Sequence, residues 1–127
     1  MQVKTDTKER FHAITLGGPS LTASMTDEMS EYLLPFLQND VKNVVLILDE
    51  ISEIDEDAAR TLVEIQQQYY ENGASFVICC VKKEVEDYLD KLELLELMNV
   101  TPTESEAWDI VQMEEIEREL LGDDDSL

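Results

Sequence analysis

Six carboxylates, Asp49, Glu50, Glu53, Asp55, Glu56 and Asp57, crowd the stretch directly after the apolar run Val44-Val45-Leu46-Ile47-Leu48. Paired acids can do general acid–base work when an apolar pocket keeps one neutral and the other stays ionised. These six lie in a polar loop that reads as solvated. No GxSxG, HExxH, P-loop or GxGxxG pattern accompanies them, so the chain is not expected to be an enzyme. Asp55, Asp57 and a carbonyl could hold a hard cation through oxygen ligands. The spacing is not that of an EF-hand, which needs a Gly at the sixth loop position and a Glu at the twelfth. An acidic-loop metal binder is thus an alternative only, and no cofactor is expected. Acids opening a helix also have a structural use, since they satisfy free amides and the positive end of the helix dipole. Asp55 is the natural N-cap.

Other reactive residue types are sparse. His12 is the single histidine, and it ends an apolar face shared with Ile14 and Leu16. With no paired Ser or Cys it reads as a structural edge residue. Cys79 and Cys80 are adjacent. In a strand, neighbours point to opposite faces, so a mutual disulfide is not expected and both read as small core hydrophobes.

The elements that position the acidic loop follow from the periodicity. Val3 to Thr7 and Phe11 to Leu16 form two short strands joined by a polar turn. Gly17-Gly18-Pro19-Ser20 breaks the second. Met25, Met29, Leu33 and Phe36/Leu37 recur at helical spacing, with Pro35 marking a kink or a weak last turn. Val44 to Leu48 lacks alternation, which predicts a strand covered on both faces. Ala58, Leu62, Ile65 and Tyr69 line one face of a helix that stops at Asn72-Gly73. Ser75 to Val81 is a second covered strand, so the unit is a right-handed βαβ with parallel strands. Val85, Leu89 and Leu92 open a third helix that continues through Leu94 to Met98. Asn99 to Thr101 is a short edge strand at best. Thr103-Glu104-Ser105-Glu106 fits a capping box opening a last helix, whose Trp108 either packs as a lid against the sheet edge, the favoured reading, or stays partly exposed as a contact residue. The expected fold is α/β: a small mixed sheet with an N-terminal antiparallel hairpin, a parallel βαβ core and about four helices. Residues 1–121 form one domain, and 122–127 a disordered acidic tail.

Thirty acidic residues oppose nine basic ones, a formal net charge of -21. Such a field repels nucleic acid and anionic lipid surfaces, so neither is an expected partner. No apolar run approaches the roughly 20 residues that span a bilayer. The N-terminus has no apolar signal core, and a cytoplasmic location is expected by default.

A response-regulator receiver would also place an Asp after an apolar strand. It further requires an acidic pair after the first strand, which is missing near Val3. The strand–loop–helix sequence from Val44 to Gly73, followed by Ser75-Phe76-Val77-Ile78, instead resembles the STAS domain family. Bacterial anti-sigma factor antagonists and the C-terminal regions of sulfate transporters have this fold. The element order extends the resemblance over about residues 3–115. Lys83-Glu84-Val85 to Leu97 is similar to the family's third helix.

The family motif after the strand is an apolar residue, then Asp-Ser-Ser-Gly or Asp-Ser-Thr-Gly. By this resemblance Asp55 matches the motif Asp, Glu56 the first Ser, Asp57 the phospho-accepting residue and Ala58 the Gly. The acceptor hydroxyl is absent; Ser52 and Thr61 are the nearest. A family Gly-x-Leu-Asp after the second strand is here Gly18-Pro19-Ser20-Leu21-Thr22. The resemblance implies a non-enzymatic interaction domain that meets a protein partner through Ile54, Asp55, Glu56, Asp57, Ala58 and Ala59. The partner would be an anti-sigma factor or its kinase. The alternative is an accessory STAS subunit of a membrane transport ATPase.

Overall fold

The computed structural model describes residues 1–125, with side chains through Leu121. The strands are β1 (Val3–Thr7), β2 (His12–Leu16), β3 (Ser20–Leu21), β4 (Val44–Ile47), β5 (Glu53–Ile54), β6 (Phe76–Cys79) and β7 (Val100–Thr101). The helices are α1 (Thr26–Leu33), α2 (Glu56–Glu71), α3 (Lys83–Lys91), α4 (Leu95–Met98) and α5 (Glu104–Asp125). Short 3-10 segments at Ala23–Met25 and Leu34–Gln38 flank α1. The main sheet has the order β1-β2-β4-β6-β7, antiparallel in its first pair and parallel thereafter. A separate two-stranded ladder pairs β3 with β5 in parallel.

Alternation along the strands divides the apolar residues between two faces. Ile14, Leu16, Val44, Leu46, Leu48, Phe76 and Ile78 face the layer built by α1 to α4, where Met29, Leu33, Leu62, Ile65, Tyr69, Val85, Leu89 and Met98 complete the core. Phe11, Ala13, Val45, Val77 and Cys79 face α5, which contributes Ala107 and Val111. The central strands are therefore covered on both faces, as their unbroken apolar runs require. Each fully buried Leu, Ile or Phe contributes about 1.5–3 kcal/mol relative to exposure. Trp108 packs on this second face, its ring stacked on Phe11 with centroids 4.9 Å apart.

Several local expectations hold and several need correction. Gly73 ends α2 with φ at +73°, the left-handed conformation a glycine adopts without a Cβ penalty. Pro35 sits at the start of a 3-10 segment, so the last turn after α1 is tightened, not α-helical. Thr103 Oγ1 accepts from the Glu106 N–H at 3.2 Å, the forward half of the capping box. The third helix is not continuous. It ends at Lys91, and Glu93 takes φ at +61° before α4 begins. An unbroken helix would set Leu92 and Leu94 about 200° apart. The break lets Leu94 and Met98 both reach the core.

Cys80 also departs from expectation. It follows β6 with φ at +62°, which cancels strand alternation and brings its Sγ within 3.4 Å of Cys79 Sγ. Both thiols are free, and burial pushes the Cys79 thiol upward. His12 lies in an interior strand, not at a sheet edge. It is buried, with Nε2 2.9 Å from the Val41 carbonyl and Nδ1 3.0 Å from Thr7 Oγ1, so its role is structural. The described α5 runs to Asp125; of the expected acidic tail, Ser126 and Leu127 lie outside the described residues. No described helix is long and apolar enough to cross a membrane.

Candidate functional site

The acidic loop is held from below by the segment that precedes α1. Ser52 N–H and Glu53 N–H both donate to the Pro19 carbonyl, at 2.8 and 3.2 Å. Asp55 N–H donates to the Leu21 carbonyl at 3.0 Å, completing the β3–β5 ladder. Gly18 is required here, because a Cβ on it would collide with the Glu50 carbonyl. Ile51 and Ile54 are buried and anchor the loop from the inside. Gly17-Gly18-Pro19-Ser20 is thus more than a strand break; it is the floor of the loop.

Asp55 is extended, with φ at -92° and ψ at 171°, and caps α2. Its Oδ1 accepts from Ala58 N–H at 2.9 Å and its Oδ2 from Ala23 N–H at 2.7 Å. One carboxylate therefore joins the start of α2 to the 3-10 turn before α1. Ala58 and Ala59 are fully buried, and their small side chains let the first turn of α2 lie close on the core. Of the six residues expected to meet a partner, Ile54, Ala58 and Ala59 are buried and Asp55 is half-buried and engaged. Glu56 and Asp57 are the members that face solvent.

These two differ. Glu56 accepts from Arg60 through Oε2 at 2.8 Å, an exposed pair one helical turn apart. Such pairs contribute at most a few tenths of a kcal/mol, about 0.3–0.5. Asp57 accepts a hydrogen bond from Thr61 Oγ1 only at its backbone carbonyl, at 2.9 Å. No partner of the Asp57 carboxylate is found among the described residues. The result is an unneutralised negative charge at the positive end of a helix dipole. The nearby hydroxyls are engaged: Thr61 as above, and Ser52 as acceptor for Lys82 Nζ at 3.3 Å.

Beside the loop lies an open cavity of about 340 Å³ between β5 and α3. Ile54 and Val85 supply its apolar surface, Tyr88 and Ser52 its polar edge, and Glu53 and Glu84 its charge. No group of three or more metal-ligating side chains is found among the described residues. A cation at Asp55 would have to displace two backbone donors.

A family model for the STAS domain matches residues 2–107. The chain belongs to the STAS domain family. Solved structures of similar fold include an anti-sigma factor antagonist from Mycobacterium paratuberculosis, with a TM-score of 0.74 and 9% identity over 87% of this chain and 93% of that one. The anti-sigma factor antagonist SpoIIAA, in its unphosphorylated form, gives 0.68 and 16% identity over 87% and 96%. A murine Solute Carrier 26 family anion transporter gives 0.68 and 14% identity, over 82% of this chain but 18% of that one. At these identities the likeness concerns the fold. No curated protein matches the chain by sequence.

Within this STAS fold, periodicity could not reveal the β3–β5 ladder, because two-residue strands carry no period. The Lys82–Ser52 contact and the cavity beside Tyr88 were equally invisible, since each joins residues about 30 positions apart or more. The one available signal was the Gly-Gly-Pro run, which marks a close backbone approach as readily as a break.

Proposed function

We propose that this chain is a non-enzymatic regulatory STAS domain that binds a protein partner at the N-terminal turn of α2. In this reading Ile54, Asp55, Ala58 and Ala59 shape the surface, and Glu56 and Asp57 present it. The observation that carries the reading is the free, exposed Asp57 carboxylate at the position where the family resemblance implies a phospho-acceptor. A carboxylate keeps a charge near -1, against about -1.5 to -2 for a phosphate, with fewer acceptor oxygens. Binding here is therefore set by a constant charge that no kinase can add or remove. A basic patch on an anti-sigma factor or a related kinase suits such a surface. Charge complementarity of this kind acts mostly on encounter rate and on rejection of wrong partners.

The test is quantitative capture of the native partner by wild type and Asp57→Lys, followed by calorimetry on the recovered partner. Asp57→Lys should weaken the complex while leaving the fold intact, and unchanged affinity would sink the proposal. A stoichiometric phosphate on Ser52 or Thr61 would replace it with a switchable one. A second reading, an accessory subunit of a membrane transport ATPase, draws on the family resemblance; the transporter among the structural neighbours is an anion transporter and shares only the fold. Co-purification with a membrane ATPase separates the two.

A further inference from the structure

The family match ends at Ala107, but α5 continues for more than four turns beyond it. That extension carries four large exposed apolar side chains: Met113 (60% exposed), Ile116 (57%), Leu120 (63%) and Leu121 (64%). Met113, Ile116 and Leu120 fall within about 60° of one another around the helix axis. They form one outward stripe, with Leu121 beside it.

The stripe is not the loose end of a fraying helix. The opposite side of α5 is fastened to the body as far as Arg118. Arg118 Nη1 donates to Ser75 Oγ at 3.0 Å, and Asn43 Nδ2 donates to Glu115 Oε1 at 2.8 Å. Tyr70 Oη donates to Glu114 Oε2 at 2.8 Å. These contacts set the rotation of the helix and turn the apolar stripe outward. A contiguous apolar patch held in place on a protein this charged marks an interaction surface.

Charge selects its occupant. Asp109 and Glu117 share the outer face, Glu119 flanks it, and Arg118, the one base of α5, is turned inward. A second copy would bring another net charge of -21 and further carboxylates against these. An anionic membrane is repelled for the same reason. We infer that the outer face of α5 docks a basic amphipathic helix of another protein. Its apolar side would lie along Met113, Ile116 and Leu120, and its Lys or Arg residues would meet Asp109, Glu117 and Glu119. A groove of about 430 Å³ beside the stripe, lined by Trp108, Gln112, Ile116, Glu119 and the ion pair of Arg10 with Glu115, can take one anchoring side chain; Glu115 neutralises Arg10, so the remaining charge of the groove is Glu119. The helix-in-groove mode of recognition fits both features. This surface is separate from the α2 mouth and does not rest on the function proposed for it.

The probe is a synthetic Leu/Lys amphipathic peptide of about five helical turns, titrated into the isotope-labelled full chain and followed by NMR. A Leu/Glu peptide of the same pattern is the control. Shifts should concentrate on Met113 to Leu121, and the Leu/Glu peptide should not bind. The double variant Ile116→Glu/Leu120→Glu makes the chain more acidic, yet it should weaken Leu/Lys binding by about tenfold or more, the loss expected for central apolar anchors. Ile116→Ser/Leu120→Ser should do the same without the added charge, and circular dichroism would confirm that both variants fold. Asp57→Lys should leave this binding unchanged. Shifts spread over the acids of α2 and α3, or undiminished binding by the Glu variant, would overturn the inference. So would a concentration-dependent dimer that the same variants abolish.

Discussion

At the mouth of α2, one carboxylate, Asp55, takes two backbone N–H donors, from Ala23 and Ala58. On α5, one guanidinium, Arg118, reaches side chains, Ser75 Oγ at 3.0 Å and Asn43 Oδ1 at 3.4 Å. The first arrangement fixes the course of the main chain. The second fixes the rotation and seating of a helix whose backbone bonds are its own. The surfaces they support differ accordingly. The mouth lies inside the family fold and displays charge, Glu56 and Asp57, on a rigid turn. The outer face of α5 lies beyond the family match and displays apolar side chains on a helix pinned from behind. The two proposed docking surfaces therefore differ in kind, one tuned by charge and one by buried area.

The comparison breaks first at Asp55. Asp55→Ala removes an N-cap and a second charge-assisted bond, and should cost about 2–4 kcal/mol. The shift in urea midpoint measures it, and a loss near zero would mean that the mouth is not held by this residue. Arg118→Ala should cost less, about 1–2 kcal/mol, because it removes two side-chain contacts in a partly solvated setting. Its distinguishing readout is hydrogen exchange. The second half of α5 should exchange faster while the β3–β5 ladder stays protected.

A pH series adds a link between the two regions through Tyr70, which joins the end of α2 to Glu114 on α5. Burial, and then the hydrogen bond to Glu114, push the Tyr70 phenol above its ordinary value of 10.0. The folded state thus favours the neutral phenol. The stabilisation is complete below pH 10 and is lost as pH rises above it. Tyr69, raised by burial alone, adds to the same trend. Urea midpoints should fall above that pH, less steeply in Tyr70→Phe; an identical slope in the variant would remove Tyr70 from the link. The smallest stability effect belongs to Asp57. Asp57→Ala should stay within about 0.5 kcal/mol of wild type, and Asp57→Lys should cost at most about 1 kcal/mol through the helix dipole. Both fit a residue whose carboxylate makes no side-chain contact within the described fold and acts on it only through the helix dipole.

Much of the architecture was readable from local pattern. The covered runs at Val44–Leu48 and Phe76–Cys79, the helical stripe from Ala58 to Tyr69 and the stop at Gly73 all report directly on periodicity or backbone freedom. The third helix was overextended: helical geometry already forbids Leu92 and Leu94 from sharing one face, but the place where the helix breaks, at Glu93, is set by the tertiary structure. Cys80 was misplaced for a related reason, since strand alternation ends where the backbone turns left-handed. Within the candidate site, the N-cap role of Asp55 was legible from residue type. The difference between Glu56 and Asp57 was only partly so. Arg60 stands one turn after Glu56, but nothing local says that the Asp57 carboxylate goes without a partner.

The sequence by itself determined the layered α/β order and the placement of an acidic turn at the start of a helix, because both depend on neighbours within a few residues. Tertiary structure alone decided which acids serve the fold and which face solvent. Asp55 is committed by Ala23, 32 positions away, whereas Asp57 is left free by the absence of any such contact among the described residues. It also decided that α5 turns Arg118 inward and its apolar stripe outward. That choice depends on Asn43 and Ser75, which no pattern within α5 could indicate.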